Sequence, residues 1–166
     1  MLDSHSEKRI PSILGTIQYN GKGEKIVPRE KSCGAVVFKT NGEVEYLLLH
    51  YEGGHWDFPK GQVEANERER ETVRRELQEE TGIRDARFKE GFREKIDYYY
   101  RRGGKTIYKE VVFFLLEAQS NDVKLSYEHV GYEWLSFEKA MERLTFKNAR
   151  NVLQKANASL RAQRTA

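Results

Sequence analysis

Three features of the sequence predict one domain of the α/β class. β-rich runs pair across Asn-Gly and Gly-Gly turns, a bounded amphipathic helix follows near the middle, and helical patterning returns at the C-terminal end. With 166 residues the chain can bury a core without covalent staples. The lone cysteine, Cys33, excludes an internal disulfide and cannot by itself build a zinc cluster. The opening MLDSHSEKRI lacks an apolar signal core, and no run approaches the roughly 18 apolar residues that span a membrane. A soluble cytoplasmic protein is therefore the expectation. The formal charge is +3, with 29 basic residues interleaved among 26 acidic ones rather than gathered in blocks. That balance does not predict nucleic-acid binding, although a modest positive excess around an acidic site favours a polyanionic substrate by local steering.

Residues 1–30 read as an N-terminal extension. Ile13, Ile17 and Tyr19 have an extended pattern before Asn20-Gly21, a hairpin-turn signal, and Lys25 to Val27 return before Pro28. The domain proper is expected over 31–160. SCGAVVFK and EVEYLLLHY, separated by Asn41-Gly42, form a second hairpin inside the core. EGGHWDFPKGQVE reads as a loop with one short extended piece. A helix is expected from about Glu67 to Thr81, with Asn66 as N-cap, Glu69 completing a capping box, and Gly82 at the left-handed stop. ARFKEGFREKIDYYYRR and KTIYKEVVFFLLEA flank Gly103-Gly104 as a long third hairpin. A short strand follows at Tyr132 to Leu135, then a helix over Phe137 to Arg143 capped by Ser136. A last helix, capped by Thr145, runs from about Phe146 to Leu160, and 161–166 form a frayed tail.

The central helix carries the chemistry. Glu76, Glu79 and Glu80 fall within an arc of about 100°, because i, i+3 and i+4 neighbours share a face. A solvated acidic face is the ordinary fate of such a run. Here the fixed spacing and flanking glycines point instead to three carboxylates awaiting a cation, and oxygen donors suit hard Mg²⁺ or Mn²⁺. Val73 and Leu77 lie beside this arc, so one edge of the helix can pack on a sheet while the acids face a cleft.

Gly61, five residues, Glu67, seven residues, then Arg75-Glu76-Leu77-Gln78-Glu79-Glu80-Thr81-Gly82-Ile83 resembles the Nudix box at every defined position. The resemblance implies an α/β/α sandwich with a mixed sheet. It also implies metal-dependent hydrolysis of a nucleoside diphosphate linked to another group. The Gly61 carbonyl, Glu76, Glu79 and Glu80 would be metal ligands, Arg75 would hold Glu79, and Glu67 would add a ligand or a structural contact. The chemistry accounts for such a site: phosphoanhydride oxygens repel an attacking hydroxide, so catalysis is mostly charge neutralisation and positioning of water.

HWDFPKGQVE, EGFREKIDYYY and YEHVGYEWLSFEKA are similar to asymmetrical dinucleoside tetraphosphate hydrolases, and with the box they cover residues 32–155. This narrower resemblance implies that His55 and Lys60 contact phosphate near the scissile bond. It places Lys109 on a more distant phosphate, with Lys105 as the competing choice. Tyr98 and Tyr132 would stack on adenine, and Glu128 would be a further metal ligand or a base. Each has a plainer alternative: bracing of its loop for His55, sheet packing for Tyr132 and for part of Tyr98 to Tyr100, solvation for Glu128. The expected reaction converts diadenosine tetraphosphate to ATP and AMP, with Glu76, Glu80 or Glu128 helping to deprotonate water. The rivals are RNA 5′ ends, inositol pyrophosphates or ADP-ribose as substrate, and a nucleotide-sensing module without turnover. Arg93, Lys95, Arg101, Arg102 and Lys105 gather around the third hairpin and favour the first two of these substrates.

Overall fold

The computed structural model describes residues 19–166. Ten elements follow one another as β1(Arg29–Asn41), β2(Glu43–Tyr51), β3(Trp56–Asp57), β4(Lys60–Gln62), α1(Glu69–Thr81), β5(Arg87–Arg102), β6(Lys105–Glu117), β7(His129–Leu135), α2(Phe137–Arg143) and α3(Lys147–Thr165). β1 pairs antiparallel with β2 and parallel with β6, β6 pairs antiparallel with β5, and β7 closes the other side on β2, which makes the sheet mixed.

Side-chain alternation sorts the core into two layers. Cys33, Ala35 and Val37 of β1, with Val112, Phe114 and Leu116 of β6, bury against Val73 and Leu77 of α1. On the opposite face Val36, Phe38, Phe113 and Leu115 bury against Ala140 of α2 and Ala149, Val152, Leu153, Ala156 and Leu160 of α3. Helix, sheet, helix: the α/β/α sandwich is present. Among the described residues no helix is long and apolar enough to cross a membrane.

Several boundaries differ from the expectation. Part of the first expected hairpin lies outside the described residues. What is described is its turn, where Asn20 Oδ1 accepts from Lys22 and Glu24 N–H groups and Tyr19 bridges Lys25. The loop before α1 holds two short strands, β3 and β4, rather than one extended piece. α1 starts at Glu69, not Glu67, because Asn66 is left-handed (φ 64°) and Glu67 N–H closes a turn onto the Glu64 carbonyl. The carboxylate that reaches back is Glu71, accepting from Arg68 N–H at 2.8 Å. Thr145 does not cap α3: its Oγ1 accepts from Trp56 N–H at 2.8 Å, tying the helix approach to β3. α3 continues through Thr165, so residues expected to fray extend the helix.

Candidate active site

β1 and β2 pair only from Phe38 to Asn41, and then part. β3 fills the gap on the β2 side and β4 on the β1 side, with Gly61 opposite Cys33 and Lys60 opposite Gly34. This split brings the loop backbone under the C-terminal half of α1. A Cβ at Gly61 would lie 1.9–2.3 Å from the carboxylate atoms of Glu76. The Lys60 N–H donates to Glu80 at 3.1 Å. Two of the three acids thus meet β4 backbone.

From there a hollow of about 660 Å³ runs along the α3 face of the sheet. Gly61, Glu80 and Glu128 line one end, with His55 and Lys60 beside them. Strand register orders the rest. Gly34 is level with Phe113, Ser32 with Val111, and Glu30 with Lys109, which in turn faces Tyr98. Lys109 therefore sits four residues further along β1 than Lys60, or about 13 Å at ordinary strand rise. Phe146 and Lys147 close the hollow from the start of α3.

A NUDIX domain profile matches residues 28–156. The chain belongs to the Nudix hydrolases. It is 36% identical over 143 residues to the asymmetrical bis(5′-nucleosyl)-tetraphosphatase of Mus musculus, covering 78% of this chain and 95% of that one. Against the Caenorhabditis elegans enzyme of the same description, identity is 32% over 136 residues, with 78% and 96% covered. The crystal structure of a C. elegans Ap4A hydrolase binary complex superposes with a TM-score of 0.72 at 30% identity, covering 80% of this chain and 98% of that one. This Nudix protein is thus a pyrophosphohydrolase by family.

Inside its Nudix box, Arg75 bonds Glu79 as expected, and it also gathers Glu67 and Glu76. Its Nε and Nη2 donate to Glu67 at 2.7 and 3.0 Å, Nη1 to Glu76 at 2.7 Å, and only more loosely to Glu79 at 3.2 Å. Nη2 also donates to the Gln62 carbonyl at 2.9 Å. Glu79 is 59% exposed and turned toward a second hollow. Among the described residues no three acidic, histidine or cysteine side chains stand ready to coordinate one ion, so the expected three-way convergence is not present as drawn. Glu76 and Glu80 with the Gly61 backbone are what the fold brings together.

That smaller set still fits a hard divalent cation. Burial is the main force pushing the Glu80 carboxyl up to about 8, and the Glu76 charge adds to it. Burial also raises Glu76, against the pull of Arg75. The buried His129 places Nε2 at 3.8 Å from Glu80, with no hydrogen-bond partner of its own. Glu80, which no Lys or Arg side chain bonds, together with the neighbouring Glu76 and the Gly61 carbonyl, offers the oxygen donors that such an ion takes.

The remaining expected residues separate into two groups. His55, Lys60, Tyr98, Lys109 and Glu128 all line the long hollow. His55 stacks on Tyr51 at 4.5 Å, and burial and then the Lys60 charge lower its pKa, which favours the neutral ring. Lys60 pairs with Asp57 at 2.7 Å and lies over the Tyr51 ring. Burial and Lys60 lower Lys109, which has no ion-pair partner among the described residues. Tyr132 is elsewhere: opposite Leu49 in β7, it lines the second hollow with Glu79, away from Tyr98. Lys105 sits at the hairpin tip opposite Arg102 and does not line the hollow. Asp57, Tyr51, His129 and Phe146 were not anticipated. Only Asp57 leaves a sequence signal, three residues before Lys60; Phe146 stands just before α3 rather than as its first residue.

Proposed function

We propose that this Nudix hydrolase cleaves diadenosine tetraphosphate to ATP and AMP with Mg²⁺ or Mn²⁺. The observation that carries the reading is the single hollow joining an acidic end at Gly61, Glu80 and Glu128 to a cation and aromatic end at Lys109 and Tyr98. A linear polyphosphate with a base beyond it has that order of chemistry. The names of the similar proteins from mouse and worm support the same substrate.

Glu76, Glu80 and the Gly61 carbonyl would hold the ion, with Glu79 and Glu128 as further donors. When bound, the ion neutralises phosphate charge and makes an attacking water more acidic. Lys60, kept in place by Asp57, and neutral His55 would contact the phosphates beside the scissile bond. Lys109 would hold a farther phosphate. Tyr98 presents a ring to a base, with Phe146, 48% exposed, across the hollow as a second apolar contact. Water adds to the phosphorus that becomes AMP, the bridging P–O bond breaks, and ATP leaves with that oxygen. A neighbouring carboxylate, Glu76, Glu80 or Glu128, accepts the water proton.

Ion pairing weighs against long RNA. Arg93 bonds Glu69, Lys95 bonds Glu110, and Arg102 bonds Glu30, so three of the five hairpin cations are already paired. The deciding experiment supplies diadenosine tetraphosphate, triphosphorylated RNA, ADP-ribose and an inositol pyrophosphate with Mg²⁺ in ¹⁸O-water. Label in AMP is expected; two ADP products, preference for another substrate, or tight binding without turnover would overturn the reading.

A further inference from the structure

Four cationic side chains line the hollow: Lys60, Lys109, Lys147 and Arg102. Arg102 is the one most remote from the acidic end, because β5 runs from Tyr98 beside Lys109 through Tyr100 to Arg102 at the hairpin tip. A guanidinium there would extend the phosphate-binding row by one more position. Glu30 prevents it. This residue lies level with Lys109 on β1, and one of its oxygens accepts from Arg102 Nη2 at 2.5 Å while the other accepts from Tyr100 Oη at 2.7 Å. Both oxygens are held, and the side chain is 13% exposed against 64% for Arg102. The carboxylate is the fixed member of the pair and Arg102 the movable one. At the level of Lys109 a phosphate meets the Glu30 carboxylate, and the guanidinium beyond it is already bonded to that carboxylate.

We infer that Glu30 is a specificity-determining residue that ends the anion-binding row at Lys109, favouring an uncharged nucleoside there over additional phosphates. The inference rests on the proposed dinucleoside polyphosphate substrate. Its physical basis is exclusion: a like charge opposite the wrong ligand discriminates more sharply than an added contact to the right one. Tyr100 belongs to the device as a positioning residue, since its hydroxyl keeps the carboxylate turned along the hollow.

The test compares kcat/KM for diadenosine hexaphosphate and diadenosine tetraphosphate in the wild type, Glu30→Gln, Arg102→Gln and the double variant. Glutamine can still accept from Tyr100 but carries no charge and releases the guanidinium. The hexaphosphate-to-tetraphosphate ratio is expected to rise about tenfold in Glu30→Gln, to fall in Arg102→Gln, where the carboxylate is unpaired, and to lose most of the gain in the double variant. A ratio in Glu30→Gln that stays within about twofold of wild type, or falls, overturns the inference. Binding of inorganic tripolyphosphate and hexapolyphosphate, measured by calorimetry, reads the same preference without turnover. If the wild type cleaves neither dinucleotide, the substrate reading fails; the inference about the row then stands or falls on whether Glu30→Gln tightens the longer chain selectively.

Discussion

The two ends of the box helix hold the same residue type in opposite electrostatic conditions. At the start, Arg75 holds the Glu67 carboxyl down at about 2, and Arg93 with Lys31 does the same for Glu69. At the far end, burial lifts Glu80 to about 8, with no cation bonded to it. The entry to the helix is internally neutralised and serves the fold. The exit is left charged or protonated, and so needs something from outside. Arg75 spans both regions: it pairs fully with Glu67 and reaches only as far as Glu76 and the near edge of Glu79. Sequence spacing groups all of these acids together; their partners divide them.

Substitutions should separate the two ends. Glu76→Gln is expected to lower kcat about a thousandfold or more while the melting temperature and circular dichroism stay near wild type; near-normal turnover would remove Glu76 from the reacting centre. Arg75→Gln should reduce both properties, costing about 2 kcal/mol of stability in denaturant melts because it leaves Glu67 unpaired, together with a large loss of activity. An unchanged midpoint would mean that Glu67 is not a structural acid.

The pH dependence should slope in opposite directions. Glu67 and Glu69 have folded values below the ordinary 4.5, so their stabilisation is complete above that pH and disappears as pH falls through about 2. Glu80 is raised, so its contribution is present below 4.5 and is lost as pH climbs through about 8. Thermal melts in chelator from pH 2 to 9 should show both limbs, and Glu80→Gln should flatten the upper limb alone. Divalent ion should restore the wild type at pH 8 and have little effect on that variant. The smallest expected effect is at the entry rim: Arg93→Gln, which breaks a half-exposed pair with Glu69, should cost less than about 1 kcal/mol and leave kcat unchanged.

The sheet was legible because alternation is local. Ala35 and Val37 face α1 while Val36 and Phe38 face α3, and an NG or GG turn marks where each hairpin folds back. The paired acids were legible because helical spacing alone puts Glu76 and Glu80 on one side. What escaped depends on distant partners. Whether Thr145 caps its helix is decided by a β3 amide 89 positions earlier. Tyr132 alternates correctly within its strand, yet β7 pairs on the outer edge of β2, and that pairing sends its ring to the second hollow. The apparent basic cluster is reduced in part for the same reason, since Glu30 and Glu69, from β1 and α1, take up Arg102 and Arg93.

Gly61 carries a consequence for inheritance. Its lack of a side chain is required by proximity to Glu76 rather than by backbone conformation, since even one methyl would occupy the space of that carboxylate. Every missense change in its codon therefore strikes the acid of a different codon, fifteen positions away. A methyl there would force the Glu76 carboxylate to swing away from β4, so Gly61→Ala acts on the position of that acid. Position 61 thus bears on the reacting centre through the placement of Glu76, although Gly61 has no side chain of its own.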